Sequence, residues 1–416
     1  MAAHNGGVVS ERFVVVGAGV MGAAVADALA AAGASVTLLD RDGPGRGTSR
    51  WSLAWLNSND KSPRAYHDLN AAGIQAWAEL APDLDGDAWY CPVGHLELAA
   101  SGAALEARVR RLTDWGYPAR LISPAQAADL EPALHPAALH PAAISKAVAF
   151  FPAEGYVLTE PLIQRLVARA QRHHATLLTG EAGHVTSLDV APGQPPRVRA
   201  ADGRVHAADQ VICCAGRWTS TLTATATVGS LAADPVPLVP WDIPGSTAPG
   251  LVVRVGPVAR EHTPVRLLHT PELSLRPHAG GLVHLEAEDA TAAVDLHTPE
   301  PELRRWAGEL LNRARRTVRG MDDAAVVDFQ VCARPLPADG QSIVGPVPGA
   351  GGLYVVVTHS GVTLAAHLAR LVTADLTSSG PAGELAPYRP GRFTTPHDHR
   401  AGSPAAAARD SGYGPR

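Results

Sequence analysis

The 416-residue chain is poor in several residue types, and each shortage excludes a class of protein. Its only lysines are Lys61 and Lys146, and its formal net charge is −5, so it offers no broad basic surface to nucleic acid or an anionic membrane. No apolar run approaches the roughly 20 residues that span a bilayer, and the first residues lack the pattern of a secretory signal. We therefore expect a soluble, cytoplasmic protein that binds neither nucleic acid nor membrane.

Cysteine is also scarce. The chain has four, at Cys91, Cys213, Cys214 and Cys332, and none is spaced as in a metal site. The adjacent pair lies in an apolar run, which indicates core packing. This usage predicts no metal and a reducing compartment.

The first 42 residues contain a strong cofactor-site pattern. A β-branched strand, Arg12–Val16, precedes the glycine-rich turn GAGVMG and an alanine-rich helix that extends to about Ala32. A second strand, Ser35–Leu39, then ends at Asp40. Strand, turn, helix, strand and acid in this order predict a dinucleotide-binding βαβ unit.

Each residue of the turn has its own predicted role. Gly17 permits the tight turn, Gly19 lets the backbone approach a pyrophosphate, and Gly22 lets helix and strand pack closely. The helix start at Val20 and Met21 offers free N–H groups and a partial positive charge to the phosphates.

Asp40 is placed to accept hydrogen bonds from an adenosine ribose, and its charge disfavours a ribose 2′-phosphate.

The βαβ unit alone does not separate FAD from NAD. That decision depends on the remaining elements. Periodicity predicts helices over 66–80, 104–115, 124–130, 159–173, 301–318 and 362–376, strands over 175–178, 185–190, 197–201 and 353–357, and a strand-rich substrate layer over 236–285.

Three further blocks, together with the βαβ unit, carry a family resemblance. They are GTSRWSLAWLN after the second strand, DQVICCAGRWTSTL in the middle, and ARPLPADGQSIVGPVPGAGGLYVVVTHSGVTL near the end. With these blocks in this order, the chain resembles the FAD-dependent D-amino-acid oxidase family, which includes glycine and sarcosine oxidases.

The resemblance implies an α/β fold with a Rossmann-type FAD-binding domain and an interleaved substrate domain built on an antiparallel sheet. The implied FAD-binding domain is discontinuous and comprises 1–90, 146–232 and 327–391. The substrate domain comprises 91–145 and 233–326. Residues 392–416, polar and rich in alanine, glycine and proline, are expected to form a disordered tail.

The resemblance also implies a set of cofactor-binding residues far apart in the sequence. They lie in the loop after the second strand, in a small-residue turn and at the start of the last helix: Arg41, Thr48, Ser49 and Arg50; Ala215 and Gly216; and Gly361, Val362, Thr363 and Leu364. The start of that helix faces the flavin's pyrimidine edge in the family, where a helix N-terminus stabilises negative charge.

Four residues are candidates for the chemistry. Arg334 matches the family's carboxylate-binding arginine, and a planar guanidinium suits that task. Lys61 follows the flavin-side loop, where a cation would assist oxygen reduction. His359 precedes the flavin-facing turn and can bond flavin, substrate or a backbone carbonyl. Arg276, at a predicted strand end, is a candidate contact for a substrate side group.

Two further residues leave alternatives open. Cys332 stands where the sarcosine-oxidase branch joins cysteine covalently to flavin, but that branch lacks the Arg-Pro pair found here at 334–335. We therefore favour an inert buried cysteine over a covalent link. Trp55 either covers the ring system of flavin or substrate or packs in the core.

The resemblance favours FAD-dependent oxidation of the C–N bond of an amino acid or N-substituted glycine. The imine formed is hydrolysed by water, and oxygen becomes hydrogen peroxide. The alternatives are a dehydrogenase that reduces another electron acceptor, an NAD-dependent dehydrogenase or reductase, and a flavoprotein subunit without turnover. A monomer or homodimer is expected, and the particular amine is left open.

Overall fold

The computed structural model describes residues 11–99, 101–139, 148–226, 236–377 and 381–393. Within these ranges it contains twenty strands and nine α-helices. The strands are, in chain order, β1 (Arg12–Val16), β2 (Ser35–Leu39), β3 (Trp55–Leu56), β4 (Tyr90–Cys91), β5 (His95–Leu98), β6 (Arg120–Ile122), β7 (Val148–Phe151), β8 (Gly155–Val157), β9 (Thr176–Leu178), β10 (Val185–Asp189), β11 (Arg197–Ala200), β12 (Val205–Ala207), β13 (Gln210–Cys213), β14 (Pro249–Gly256), β15 (Leu267–His269), β16 (Ser274–His278), β17 (Leu282–Glu286), β18 (Ala325–Ala333), β19 (Ile343–Pro346) and β20 (Leu353–Val357). The helices are α1 (Val20–Ala31), α2 (Arg64–Leu80), α3 (Gly102–Asp114), α4 (Pro124–Leu130), α5 (Thr159–Arg172), α6 (Thr219–Ala224), α7 (Glu288–Ala292), α8 (Glu300–Thr317) and α9 (Gly361–Thr377).

A six-stranded sheet has the order β19-β20-β13-β1-β2-β9. Its central strands are parallel, and β19 is an antiparallel edge. Helix α1 packs against α5 and α9, and the strands are apolar and buried, as expected for a parallel sheet covered by helices. Because β1, β13 and β20 are parallel neighbours, the segments that follow them meet at one edge of the sheet.

An eight-stranded sheet has the order β18-β14-β17-β16-β15-β5-β7-β6. Its pairs are antiparallel, as predicted for the substrate layer, except that β15 and β5 are parallel. Side chains alternate between its faces. In β14, Leu251 and Val253 pack in the core with Leu310 of helix α8, whereas Gly250 and Val252 line a large cavity. Successive residues of β14 therefore alternate between the core shared with helix α8 and the cavity.

The sheets differ from the predicted domain boundaries at two places. Strands β7 and β18 belong to the eight-stranded sheet, although boundaries at 146 and 327 assign β7 and most of β18 to the FAD-binding domain. The resemblance placed the second boundary near the motif at 332–335, but β18 stays paired with β14 up to Ala333. The division into two domains itself remains a prediction. So does the predicted tail, which lies outside the described residues from 394 onward.

No helix among the described residues is long and apolar enough to cross a membrane.

Candidate active site

A single large cavity is lined by residues of both main sheets and has a volume of about 2360 Å³. Pockets for small ligands usually measure about 300–1,000 Å³. The lining extends from the turn after β1, past the ends of β13 and β20, to the open face of β14 and β17. Its size and length suit an extended dinucleotide together with a substrate.

The turn between β1 and α1 can be built only with glycine at two positions. Gly17 has a φ of +98°, and a Cβ there would lie 2.6 Å from the carbonyl oxygen of Cys214. A Cβ on Gly22 would collide with the carbonyl oxygen of Gly17. Gly17 and Gly19 line the cavity, whereas Gly22 lies outside the described lining and serves the packing of helix on strand.

Helix α1 presents its first N–H groups to the cavity. The first bond within the helix runs from the Ala23 N–H to the carbonyl oxygen of Gly19, so the preceding N–H groups lie outside that ladder. The Val20 N–H donates to the Ser49 hydroxyl oxygen at 3.1 Å, and Val20 and Met21 both line the cavity. The remaining donors and the helix dipole suit a phosphate.

Asp40 joins the glycine turn to the following loop. Its Oδ2 accepts from the Ala18 N–H at 2.7 Å, and its Oδ1 accepts from the N–H groups of Asp42 and Gly43 at 3.0 and 2.8 Å. Burial raises the pKa of the Asp40 carboxyl, and these backbone donors oppose the shift. A carboxylate has about four acceptor positions, so capacity remains for a ribose hydroxyl.

The predicted loop residues divide into two groups. Arg41, Thr48 and Ser49 line the cavity, and the Thr48 hydroxyl donates to the carbonyl oxygen of Ala333 at 2.8 Å. Arg50 is outside the described lining, and its place among the cofactor-binding residues stays a prediction. Its Nε lies 3.0 Å from Glu160 on helix α5, because the short helical turn at 48–50 directs the side chain away from the cavity.

The distant cofactor segments reach the same cavity. Ala215 and Gly216 line it beyond β13, and Gly361, Val362 and Thr363 line it at the start of α9. This convergence follows from the parallel order of β1, β13 and β20.

Thr363 ties helix α9 to the segment around β3. Its hydroxyl donates to the carbonyl oxygen of Trp55 at 3.0 Å and accepts from the Asn57 N–H at 3.4 Å. Leu364 is fully buried in the core and absent from the described lining, and its cofactor contact stays a prediction. One residue further along a helix, the side chain turns toward a different face.

Three predicted chemistry residues come together. Arg334, His359 and Lys61 all line the cavity. Burial lowers the pKa of His359 well below its ordinary value, and the positive charges of Arg334 and Lys61 lower it further. The imidazole is therefore neutral at pH 7 and lies in a positive electrostatic field.

The orientation of Arg334 determines which of its nitrogens could meet a carboxylate. Its Nε donates to the carbonyl oxygen of Ala248 at 3.1 Å, and its Nη2 donates to those of Thr247 and Pro249 at 2.8 and 3.2 Å. Among the described residues, no acceptor is found for its Nη1. A substrate carboxylate would thus meet Nη1 alone, in place of the two-nitrogen fork that the sequence suggests.

Arg276 is placed elsewhere. It is 1% exposed and absent from the described cavity lining, and its guanidinium donates to the carbonyl oxygens of Ser52, Leu53 and Pro277. Burial lowers its pKa to about 10. Strand β16 directs the side chain into the protein, where Arg276 fixes the loop at 52–53. Its contact with a substrate side group stays a prediction.

A buried carboxylate that sequence reasoning missed fixes the next part of that loop. Glu154 is 0% exposed and collects six donors. Its Oε1 accepts from the N–H groups of Ser58 and Asn59, both at 2.9 Å, and from the Tyr117 hydroxyl at 2.8 Å, while its Oε2 lies near Trp55 Nε1 at 3.0 Å, Asn59 Nδ2 at 2.8 Å and His95 Nδ1 at 3.2 Å.

Burial alone would raise the pKa of Glu154, but its hydrogen bonds and the charge of His95 hold that pKa below its ordinary value. The ionised carboxylate therefore anchors the segment 55–59, which immediately precedes Lys61. No local motif marks this role.

Trp55 and Cys332 both line the cavity. The Trp55 ring contacts the rings of His95 and His269, with centroid distances of 4.6 and 4.7 Å. The Cys332 Sγ is 3.7 Å from Nη1 of Arg217, a lining residue that the sequence reading passed over. The two alternatives for Cys332, an inert side chain or a covalent link to flavin, stay predictions. The role of Trp55 in covering the ring of flavin or substrate also stays a prediction. No cluster of three or more potential metal ligands is found among the described residues.

Comparisons with known proteins agree with this arrangement. A model of the FAD dependent oxidoreductase family, DAO, matches residues 12–375. The chain is similar to a glycine oxidase of Pseudomonas putida, with 27% identity over 395 residues that cover 92% of this chain and 98% of the relative.

Solved structures share the fold. An iminodiacetate oxidase from Chelativorans sp. BNC1 has a TM-score of 0.72 and 23% identity, covering 91% of this chain and 99% of that one. An L-proline dehydrogenase from P. horikoshii has a TM-score of 0.75 and 16% identity, covering 92% and 98%. These structures confirm the predicted fold class. The family match extends over most of the sequence, and it favours FAD over the NAD alternative. The chain belongs to the FAD-dependent oxidoreductase family DAO.

Proposed function

We propose that this oxidoreductase oxidises the C–N bond of an amino acid or N-substituted glycine to an imine, with oxygen as the electron acceptor. The observation that carries the proposal is the meeting of Arg334, His359 and Lys61 beside the start of α9 in the cavity that also contains the glycine turn. The similar glycine oxidase, named for an amino-acid substrate, supports it. The expected monomer or homodimer stays a prediction.

The residues present fit FAD. Glycines 17 and 22 stand where a Cβ has no room, and the α1 start and Asp40 suit the pyrophosphate and ribose. Ala215, Gly216 and the start of α9 would contact the rest of the cofactor. When bound, FAD supplies the two-electron acceptor for the bond that is oxidised.

The protein's own groups would position the substrate. Nη1 of Arg334 would bind a carboxylate, which holds the neighbouring α-carbon and amine in one orientation. Neutral His359 would donate or accept a single hydrogen bond beside them. The dipole of α9 and the charge of Lys61 would stabilise negative charge that develops nearby. Positioning and electrostatics, more than acid–base exchange, would account for the rate.

Anaerobic mixing with candidate amines tests the reaction itself. We expect loss of the visible flavin absorption with at least one member of a panel of D-amino acids, glycine, N-methyl amino acids and N-carboxymethyl amines. Readmitted air should restore the absorption and yield peroxide. No bleaching by any amine would contradict the oxidation, and bleaching without peroxide would favour the alternative acceptor.

A further inference from the structure

Glu286 is a cavity-lining carboxylate that the proposed chemistry does not yet use. It is the last residue of β17, pairs in register with Ser274 of β16, and is half-buried. Its charged neighbours act on it through space, and no hydrogen bond or ion pair to its carboxylate is found among the described residues. Keeping a carboxylate ionised and partly removed from water costs free energy unless a cation or a hydrogen-bond donor compensates its charge.

A gap separates Glu286 from Arg334. A Cβ on Gly250 of β14 would lie 3.7 Å from Oε1 of Glu286 and 3.7 Å from both Nε and Cζ of Arg334. Gly250 lines the cavity, so the space above it is open to a ligand. Two opposite charges thus face the same opening without touching each other.

Charges of both signs surround Glu286. Burial raises the pKa of its carboxyl, Glu288 raises it further, and the positive charges of Arg334 and Arg276 oppose both effects. Arg276 is held by backbone carbonyls, and Arg334 has Nη1 left for a ligand. A ligand that carries both signs of charge would satisfy Glu286 and Nη1 together.

We propose that Glu286 binds the cationic nitrogen of a zwitterionic substrate whose carboxylate meets Arg334 across the gap above Gly250. The assignment of this ligand as the substrate rests on the proposed function. It narrows the substrate class to amino acids with one carboxylate close to a charged nitrogen. A substrate with a second carboxylate on that nitrogen would be repelled by Glu286.

A matched pair of ligands tests this recognition without turnover. 2-Aminoisobutyrate carries an ammonium group where pivalate carries a methyl group, and neither has a hydrogen on its α-carbon to be removed. Binding of each is measured by calorimetry on the FAD-loaded protein. We expect the parent to prefer 2-aminoisobutyrate, and Glu286→Gln to reduce that preference roughly tenfold to a hundredfold, as for loss of a hydrogen bond to a charged group.

Glu261→Gln is the control, since Glu261 is exposed and lies outside the described cavity lining, and it should keep the preference. Gly250→Ala gives a second test that leaves both charges in place. Its methyl group would make only ordinary contacts with the protein, yet it should weaken binding of both ligands by occupying the gap.

An equal affinity of the parent for both ligands, or binding to neither, would overturn the proposal. So would an unchanged preference in Glu286→Gln or unchanged binding in Gly250→Ala. The predicted binding pattern in a protein whose flavin no amine reduces would support Glu286 as a zwitterion contact while contradicting the proposed oxidation.

Discussion

We propose that the two ends of the cavity recognise their ligands by different means. At the adenosine end, the turn after β1 offers backbone N–H groups and the absence of side chains at Gly17, Gly19 and Gly22. At the substrate end, charged side chains from several elements surround the space above Gly250. The first end should therefore be most sensitive to added volume, and the second to altered charge.

The largest effect is expected at the adenosine end. Gly22→Ala places a Cβ against the carbonyl oxygen of Gly17, and because backbone atoms must then move, we expect purified protein with little or no bound FAD. Flavin content per chain is the measurement. Gly308→Ala is the control, since nothing lies near a Cβ there and alanine favours a helix by about 0.5–1 kcal/mol. Full flavin content in Gly22→Ala would contradict this account.

The next largest effect is expected on stability, at Glu154, which anchors the segment 55–59 beside the substrate end. Glu154→Gln removes the charge and places an amide N–H₂ among donors, so we expect a loss of about 3–5 kcal/mol in the free energy of unfolding. Urea unfolding of the FAD-loaded protein measures it. Glu181→Gln, at an exposed position, should leave stability unchanged. Equal stability of the two variants would show that the six contacts contribute little.

A pH dependence should follow from His359. Its pKa is depressed in the folded protein, so below the ordinary value near 6.5 the unfolded chain binds a proton that the folded chain does not. Stability is thus present above that pH and lost as the pH falls. His359→Gln should make this slope shallower by up to about 1.4 kcal/mol per pH unit.

Urea midpoints between pH 7.5 and pH 5 measure the slope, at pH values chosen to bracket the ordinary histidine pKa of about 6.5. His269 and His284, whose pKa values are also depressed, should leave a residual slope. His173→Gln, on an exposed residue, is the comparison. If both variants keep the parental slope, folding does not lower the pKa of His359.

The smallest effect is expected for Lys61→Met. Loss of this cation should slow reoxidation of the reduced flavin by oxygen roughly tenfold, which corresponds to about 1.4 kcal/mol of activation free energy. Stopped-flow mixing of the reduced protein with oxygen gives the rate. Reoxidation as fast as in the parent would exclude Lys61 from the oxygen step.

The contrast between the adenosine end and the substrate end also explains which features could be predicted from the sequence. The unit from β1 to Asp40 depends on neighbours within about 30 residues, so periodicity and glycine spacing predicted its elements closely. Strand β20 and helix α4 also have their predicted bounds. Family motifs then located the distant segments that line the cavity.

Side-chain direction at the substrate end depended on long-range packing. The carbonyls that hold Arg334 come from residues 247–249, and those of Ser52 and Leu53, which hold Arg276, lie more than 220 positions away. Glu154 likewise collects donors from segments 37 to 99 positions away. No local pattern specifies such pairs, so the sequence indicated neither the carbonyl partners of Arg276 nor the roles of Glu154 and Glu286.

The central claim is that charged side chains recognise the substrate at one end of the cavity, while backbone groups recognise the cofactor at the other. Anaerobic flavin reduction in Arg334→Met, measured against the concentration of the best amino-acid substrate, tests it most directly. We predict unchanged flavin content and a half-saturating concentration raised roughly tenfold to a hundredfold, as for loss of a charged hydrogen bond. An unchanged half-saturating concentration, or loss of FAD in place of substrate affinity, would contradict the account.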